Sequence, residues 1–303
     1  TIIPEFPADA KGLATRESSS KILNTIADKI PWFMGGSADL GPSTKTYIKE
    51  ASSFNRGNYG GRNFHFGVRE HAMGAIINGM SLSKLRPYGA TFFVFSDYVR
   101  PAIRLSSLMK QPVIYIFTHD SIGVGEDGPT HQPVEHLASL RAMPGLDVIR
   151  PSDANELSVM WKYIMRLKDR PVALVLSRQG MPTLDRSKYA PADGALKGAY
   201  VLIESDGTPD VILIGTGSEM QICLDAYEQL TNEGINARVV SMPCCSLFQS
   251  QDKEYREKVL PRSVKARIVV EAGSTFGWHG YTGREDDCGI FGLKDFGASA
   301  PAG

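Results

Sequence analysis

The chain has 303 residues, 42% of them hydrophobic, and its 33 basic residues balance its 33 acidic residues, so the formal net charge is zero. This length suits two domains, and the balanced charge gives no basis for binding nucleic acid or an anionic membrane. No apolar run approaches a bilayer-spanning length, and residues 1–12 lack the segments of a signal peptide. Cys223, Cys244, Cys245 and Cys288 form no CxxC motif, which favours a reduced chain in the cytoplasm.

Apolar β-rich runs alternate with helical patterns in the first part of the chain. The patterns predict helices at 70–82 and 153–167 and strands at 113–118 and 172–176. Ser152 or Asp153 caps the second helix, with Glu156 behind it. Strands that are apolar throughout and alternate with helices are typical of a parallel sheet with crossover helices.

Residues 184–197 lose apolar periodicity and collect proline, glycine and charge, which predicts a domain boundary. Beyond it the alternation resumes, with strands predicted at 211–214, 237–242 and 266–270 and helices at 219–233 and 254–259. We therefore predict an α/β protein of two domains, each a largely parallel sheet with helices on both faces. We place a linker at 1–11 and the domains at 12–186 and 187–303. No helix follows the last predicted strand, so we expect the second domain to be truncated at its end.

The loop THDSIGVGEDGPTHQP, at residues 118–133, carries His119, Asp127 and His131 among glycines, directly after a predicted buried strand. Such loops are where α/β proteins place their chemistry. GVGEDG matches the dinucleotide motif GxGxxG, but it lies well beyond the strand end and prolines follow it, so that interpretation is weak. The two histidines leave open a zinc site or hydrogen bonds to a polyol or phosphate.

Two further groups have ordinary structural explanations when they are considered alone. Glu70 precedes a predicted helix, where a carboxylate is usually a dipole partner. Phe92, Phe95 and Tyr98 recur at helical spacing, which is more typical of a core than of a cofactor pocket.

Seven segments, taken together, carry a resemblance to a known family. They are GGSADLGPS (35–43), FGVREHAM (66–73), TFFVFSDY (91–98), THDSIGVGEDGPTHQPVEHLASLR (118–141), LSRQ (176–179), TGSE (216–219) and VVSMP (239–243). In this order they resemble the pyrimidine-binding and C-terminal domains of transketolase, from about residue 6 to residue 301. The resemblance implies a thiamine diphosphate-binding fold at 12–186, followed by a transketolase C-terminal domain at 187–303.

The resemblance also implies an activity. Transketolases transfer a two-carbon ketol unit from a ketose phosphate to an aldose phosphate in the pentose phosphate pathway, using thiamine diphosphate and a divalent metal, Mg²⁺ or Ca²⁺. Family members are dimers with sites between subunits, so a homodimer is implied. The catalytic groups implied here are Glu70, which hydrogen-bonds the cofactor pyrimidine, together with His119 and His131.

The remaining implied site residues bind the cofactor or the sugar. Phe92, Phe95 and Tyr98 correspond to the aromatic cradle of the pyrimidine, and Asp39 to an aspartate near the cofactor. The family's phosphate grip corresponds to Arg16, Ser43, His119 and Arg178. Asp127 corresponds to the residue that binds a substrate hydroxyl, and His131 to a histidine beside the reacting carbons.

The family's diphosphate-binding domain, with its GDG…N metal motif, has no counterpart in this sequence. No metal ligand is assigned here, and the ligands are expected from such a domain in cis or from a separate subunit in trans. The chain is thus expected to be a fragment or one subunit, inactive alone. The alternatives are a non-catalytic binding or regulatory subunit, or a related enzyme: a dihydroxyacetone synthase, a deoxyxylulose-phosphate synthase or the β subunit of a 2-oxoacid dehydrogenase.

Overall fold

A computed structural model describes residues 3–283 and 289–301, so Cys288 lies outside the described residues. The strands of the first part are β1 (Asp9–Ala14), β2 (Phe33–Ser37), β3 (Asn63–His65), β4 (Arg86–Phe92), β5 (Ile114–Thr118), β6 (Asp147–Ile149), β7 (Val172–Leu176) and β8 (Gly180–Thr183). Its helices are α1 (Thr15–Lys29), α2 (Gly41–Thr44), α3 (Glu70–Leu82), α4 (Ser96–Leu108), α5 (His136–Arg141) and α6 (Ala154–Arg166).

The second part contains β9 (Tyr200–Ile203), β10 (Val211–Gly215), β11 (Ala237–Ser241), β12 (Arg267–Ser274) and β13 (Ile290–Leu293). Its helices are α7 (Met220–Asn232), α8 (Cys245–Gln249), α9 (Lys253–Val259) and α10 (His279–Thr282). Short 3₁₀ turns occupy Phe93–Phe95, Ile122–Asp127, Ala192–Lys197 and Gly217–Glu219. Within the described ranges, no helix is both long and apolar enough to cross a membrane.

The strands form two main sheets and one small ribbon. The first sheet has the order β3-β2-β4-β5-β7-β6 with every pairing parallel. The second has the order β13-β12-β10-β11-β9, parallel except for the β11–β9 pair. β1 and β8 form a separate antiparallel ribbon. The predicted architecture, two α/β domains with largely parallel sheets, is confirmed, while the exact domain bounds stay a prediction.

The helix predicted at 70–82 is α3, and the one predicted at 153–167 is α6. Asp153 caps α6 by accepting a 2.7 Å hydrogen bond from the Glu156 amide, as predicted. The same Glu156 also accepts hydrogen bonds from the hydroxyls of Tyr200 and Ser241 in the second domain. The Glu156 carboxylate, which is fully buried, therefore joins the first domain to the second.

Arg150 provides a second connection between the domains. It follows β6, is 1% exposed and forms ion pairs with Asp120 and with Glu219. It also donates a hydrogen bond of 3.0 Å to the Thr216 hydroxyl. A charge buried this deeply persists only when it is paired and hydrogen-bonded, so the loop after β5 is held against the second domain.

Candidate functional site

The candidate site lies where three adjacent strands end side by side. Phe92 is in register with Thr118, and Thr118 with Leu176, at the carboxyl ends of β4, β5 and β7. His119 is the residue after β5 and Arg178 is the second residue after β7, so both lie at this edge of the sheet. The edge of a parallel sheet at its carboxyl ends is the usual ligand site of such folds.

His119 is the most constrained residue of the site. Its backbone has φ 62°, in the left-handed region, and its side chain is 3% exposed. The imidazole stacks on Phe92, with ring centroids 3.7 Å apart. Nε2 lies 3.3 Å from Nη1 of Arg16, and Nδ1 lies 2.8 Å from the Thr118 hydroxyl oxygen. Because a guanidinium can only donate, Nε2 is the acceptor and the ring proton is on Nδ1.

The charge state of His119 follows from its surroundings. Burial lowers the pKa of the imidazole to about 3, and the positive charges of Arg16 and Arg178 and the nearby His131 act in the same direction. The ring is therefore neutral at physiological pH. A neutral histidine beside two guanidinium groups shapes the site without adding to its positive charge.

Arg16 lies in the first turn of α1 and reaches the same place. Nη1 donates a 2.9 Å hydrogen bond to the carbonyl oxygen of Ser43, while buried Nε has no hydrogen-bond partner within the described ranges. Burial and the charge of Arg178 lower the pKa of Arg16, although Glu17 opposes them. Among the described residues, neither Arg16 nor Arg178 forms an ion pair with a carboxylate. Positive charge without a paired anion favours an anionic ligand.

Two residues that the sequence reasoning missed hold this cluster together. The Thr15 amide donates to the Ser177 hydroxyl at 3.1 Å, and the Ser177 amide donates to the Thr15 hydroxyl at 2.7 Å. Their reciprocal bonds fix the start of α1 against the end of β7, and thereby fix the backbones of Arg16 and Arg178. Their positions immediately before those two arginines were the available signal.

Glu70 is the first residue of α3 and is 7% exposed. Its one side-chain hydrogen bond among the described residues is a 3.5 Å contact from the Thr91 hydroxyl. A largely buried carboxylate with one weak partner retains capacity to accept a stronger donor.

The aromatic residues form a ladder beside His119. The rings of Phe92 and Phe95 are nearly parallel, with centroids 6.1 Å apart. Tyr98 lies 6.1 Å beyond Phe95 and is 64% exposed, so it is not a core residue. His131 presents its ring at a steep angle to Phe95, 5.6 Å away. The structure thus brings both loop histidines against the same aromatic pair.

Asp127 and Asp39 are both exposed. Asp127 ends the 3₁₀ turn in the loop after β5, and Asp39 follows β2 with a left-handed φ of 62°. Ser43, the last of the residues singled out from the sequence, is half-buried and presents its carbonyl to Arg16.

Because both nitrogens of His119 already have partners, the arrangement does not suit the zinc alternative. Among the described residues, the potential metal ligands that cluster are Asp97, Glu135 and His136.

Comparison with known proteins identifies the family. The sequence profile of "Transketolase, pyrimidine binding domain" matches residues 11–183, and that of "Transketolase-like TK C-terminal domain" matches residues 198–303. The chain belongs to the transketolase family. The resemblance inferred from the seven segments is thereby confirmed.

Transketolase-family relatives cover nearly the whole chain. It is 56% identical to the transketolase of Halalkalibacterium halodurans over 96% of its length, and 55% identical to that of Bacillus subtilis over 98%. It covers only 44% and 45% of these proteins, so it spans less than half the length of the curated relatives it matches.

Solved structures agree in fold. A Pichia stipitis transketolase in complex with sedoheptulose-7-phosphate superposes with a TM-score of 0.91 at 41% identity, covering 99% of this chain and 45% of that one. An inactive β4 tetramer from a split-gene transketolase gives 0.74 at 27% identity, covering 94% of this chain and 90% of that one. The similar structures therefore include chains about twice as long as this one and a chain of nearly the same length.

Proposed function

We propose that this chain supplies the pyrimidine-binding and sugar-phosphate-binding part of a transketolase, which transfers a two-carbon ketol unit between sugar phosphates. The observation that carries the proposal is the cluster of Arg16, His119 and Arg178, which gathers positive charge around a neutral buried histidine without a paired carboxylate. A sugar phosphate supplies the anion that this cluster lacks.

The residues present fit the pyrimidine half of thiamine diphosphate. Glu70 offers a buried carboxylate with unused acceptor capacity, and Phe92 and Phe95 offer parallel apolar rings. Thiamine diphosphate, when bound, supplies the carbanion chemistry of the ketol transfer. Tyr98 extends the aromatic surface, and Asp39 supplies an anion on the loop after β2.

Within that site, the side chains of this chain would orient the bound ligands and exchange protons with them. The Glu70 carboxylate would hold a proton shared with a ring nitrogen of the pyrimidine, which is favourable in a site that excludes water. His131, whose ring lies against Phe95, would exchange protons with hydroxyls of the sugar. Asp127 accepts a hydrogen bond from a hydroxyl, and a sugar that lacks this hydroxyl leaves the carboxylate unpaired.

At the other end of the substrate, the phosphate lies between the two arginines. Arg16 already has its guanidinium fixed by the Ser43 carbonyl, and Arg178 is exposed. Ser43 adds a neutral hydroxyl, and His119 contributes a neutral ring. Two guanidinium groups give the paired hydrogen bonds that phosphate oxygens accept best.

The diphosphate and its metal, Mg²⁺ or Ca²⁺, would be held by a diphosphate-binding region in the same polypeptide or in a separate subunit. The GDG…N motif is absent from this sequence, and Mg²⁺ prefers carboxylate and phosphate oxygens in an octahedral set. Both forms occur among the relatives, because the split-gene transketolase has a length close to that of this chain, whereas the curated relatives are more than twice as long.

A homodimer in the cytoplasm is part of the proposal. The paired helices α3 and α4 expose large apolar side chains: Ile76, Leu82, Tyr98, Leu105 and Leu108. A group of exposed apolar residues on neighbouring helices is typical of a protein interface. We propose no nucleic acid or membrane partner, in keeping with the zero net charge.

The test is ketol transfer from a ketose phosphate to an aldose phosphate, with this chain combined with a diphosphate-binding region, thiamine diphosphate and Mg²⁺. Turnover that requires both parts supports the proposal, and its absence with every phosphorylated donor contradicts it. Formaldehyde as the preferred acceptor would instead indicate a dihydroxyacetone synthase. Calorimetry on the 303-residue chain alone addresses the second part, because tight binding of thiamine diphosphate would refute the need for the other region.

A further inference from the structure

Gln132 joins the loop after β5 to the second domain. Its side chain is 4% exposed, and Nε2 donates hydrogen bonds to two backbone carbonyls: that of Gly125 at 2.9 Å and that of Ala298 at 3.1 Å. Gly125 belongs to the turn that carries Asp127, whereas Ala298 lies beyond β13. One amide therefore uses both of its N–H groups to connect segments that are distant in sequence.

The amide can hold only this orientation. If it were reversed, its oxygen would face two carbonyl oxygens, which repel it. In the orientation seen, Oε1 is buried with no hydrogen-bond partner in the described part of the chain. Leaving a buried acceptor unpaired is unfavourable, so the pair of donated bonds must offset that cost.

The segment beyond β13 is shaped to seat against the loop. A Cβ on Gly297 would lie 1.9 Å from Oε1 of Gln132, so any larger residue there must displace either the glutamine amide or the segment. A Cβ on Gly128 would lie 2.2 Å from the Ser299 hydroxyl. The segment therefore lies against Gly128 and is joined through the Gln132 amide to Gly125, on the two sides of Asp127.

The loop needs such support because its own backbone is unusual. Gly125 has φ 78° and Gly128 has φ 75°, both in the region that favours glycine. Glycine gives the loop this shape but leaves it more conformational freedom than other residues would. Asp127 lies between these glycines and is exposed, so no packing of its own side chain fixes it.

We propose that Gln132 is a positioning residue for substrate selection, by which the second domain sets the location of Asp127 and His131. The inference rests on the proposed function, because it assigns to Asp127 the hydroxyl of the sugar. Through Gln132, the second domain then affects which sugar configuration is selected, although Gln132 itself does not contact the substrate.

Two variants perturb the contact from opposite sides. Gln132→Met keeps the length of the side chain and removes both donors, and Gly297→Ala adds a Cβ that displaces either the intact glutamine amide or the segment. The matched controls are Gln221→Met on α7 and Gly280→Ala in α10. Among the described residues, Gln221 donates a hydrogen bond to the side chain of Asp225, and a Cβ on Gly280 meets open space.

The first readout is kinetic, on the enzyme assembled with its diphosphate-binding region. Gln132→Met and Gly297→Ala should each lower kcat/KM for the preferred ketose phosphate by about 10- to 100-fold, since displacement of about 1 Å has effects of this size. They should also reduce the discrimination between donors that differ in configuration at one hydroxyl, which a loss of stability alone would not change. The two control variants should keep the wild-type values.

The second readout needs no cofactor. Hydrogen exchange on the chain should accelerate at the amides of Gly128 and His131, which bond within the loop, and remain unchanged in β5. Unchanged donor discrimination together with unchanged exchange in both variants would overturn the inference. A wild-type enzyme without ketol transfer but with the exchange effect would overturn the proposed function and leave the structural connection standing.

Discussion

Replacing Arg178 by glutamine tests the proposed phosphate site with little risk to the fold. The side chain is exposed and, among the described residues, has no ion pair. Glutamine retains a donor but removes the charge and the paired geometry. The change should therefore act on ligand binding and not on stability.

The size of the effect follows from the neighbouring groups. Arg16 stays in place, fixed by the Ser43 carbonyl and the His119 ring, so part of the phosphate affinity survives. A hydrogen bond to a charged group is worth about 1.5–3 kcal/mol, and about 1.4 kcal/mol corresponds to a factor of ten. We expect KM for a ketose phosphate to rise roughly 10- to 100-fold, with kcat nearly unchanged.

Steady-state kinetics with paired donors provide the assay. A phosphorylated ketose and its unphosphorylated counterpart are compared in the wild type, in Arg178→Gln and in Arg166→Gln, which alters an exposed arginine in the last turn of α6. The rise in KM should be confined to the phosphorylated donor and to Arg178→Gln. A lower kcat at unchanged KM, or an equal loss with both donors, would refute the assignment of Arg178 to the phosphate.

Three further predictions concern charge and proton transfer. Glu70→Ala should abolish most turnover at low thiamine diphosphate, whereas Thr91→Val, which removes only the weak 3.5 Å bond, should retain most of it in the same assay. NMR should show that the His119 imidazole stays neutral from pH 8 to pH 5. Because its pKa of about 3 in the folded state lies below the unfolded value, its contribution to stability should fall as pH drops below about 6.5. An imidazole that titrates near 6.5 would contradict its burial. Arg141 and its hydrogen bonds outweigh burial and hold the pKa of Glu271 at about 2, so the stability that this carboxylate contributes is present above about pH 4.5 and is lost as pH falls towards 2. Denaturant unfolding of the wild type and Glu271→Gln should therefore converge at low pH, and a constant difference would count against the ion pair.

The sequence predicted those parts of the fold that depend on local pattern. The helix at 70–82 agrees with α3 because its apolar spacing is regular, and Asp153 caps α6 because aspartate accepts bonds from free helix amides. The prediction that the loop at residues 118–133 carries the chemistry was also local, because it used only that loop and the strand before it. The structure does bring its two histidines to the same aromatic pair.

Features that depend on distant segments could not be predicted this way. The order β4-β5-β7 places Phe92 and Arg178 on the two sides of His119, and no periodicity in the sequence encodes that order. Arg150 is a similar case, since arginine is normally exposed and its burial needs acidic partners from two other segments. Helical spacing suggested a core position for Tyr98, but its ring is mostly exposed because α4 turns it outward.

The ribbon of β1 and β8 has a consequence for gene architecture. The two strands are antiparallel neighbours, with Ala14 opposite Gly180, so the polypeptide enters and leaves the first domain at one place. A domain with adjacent ends can be inserted, fused or encoded separately without rearrangement of its interior. Because these ends lie together, a further segment joined before β1 would meet the first domain beside its connection to the second.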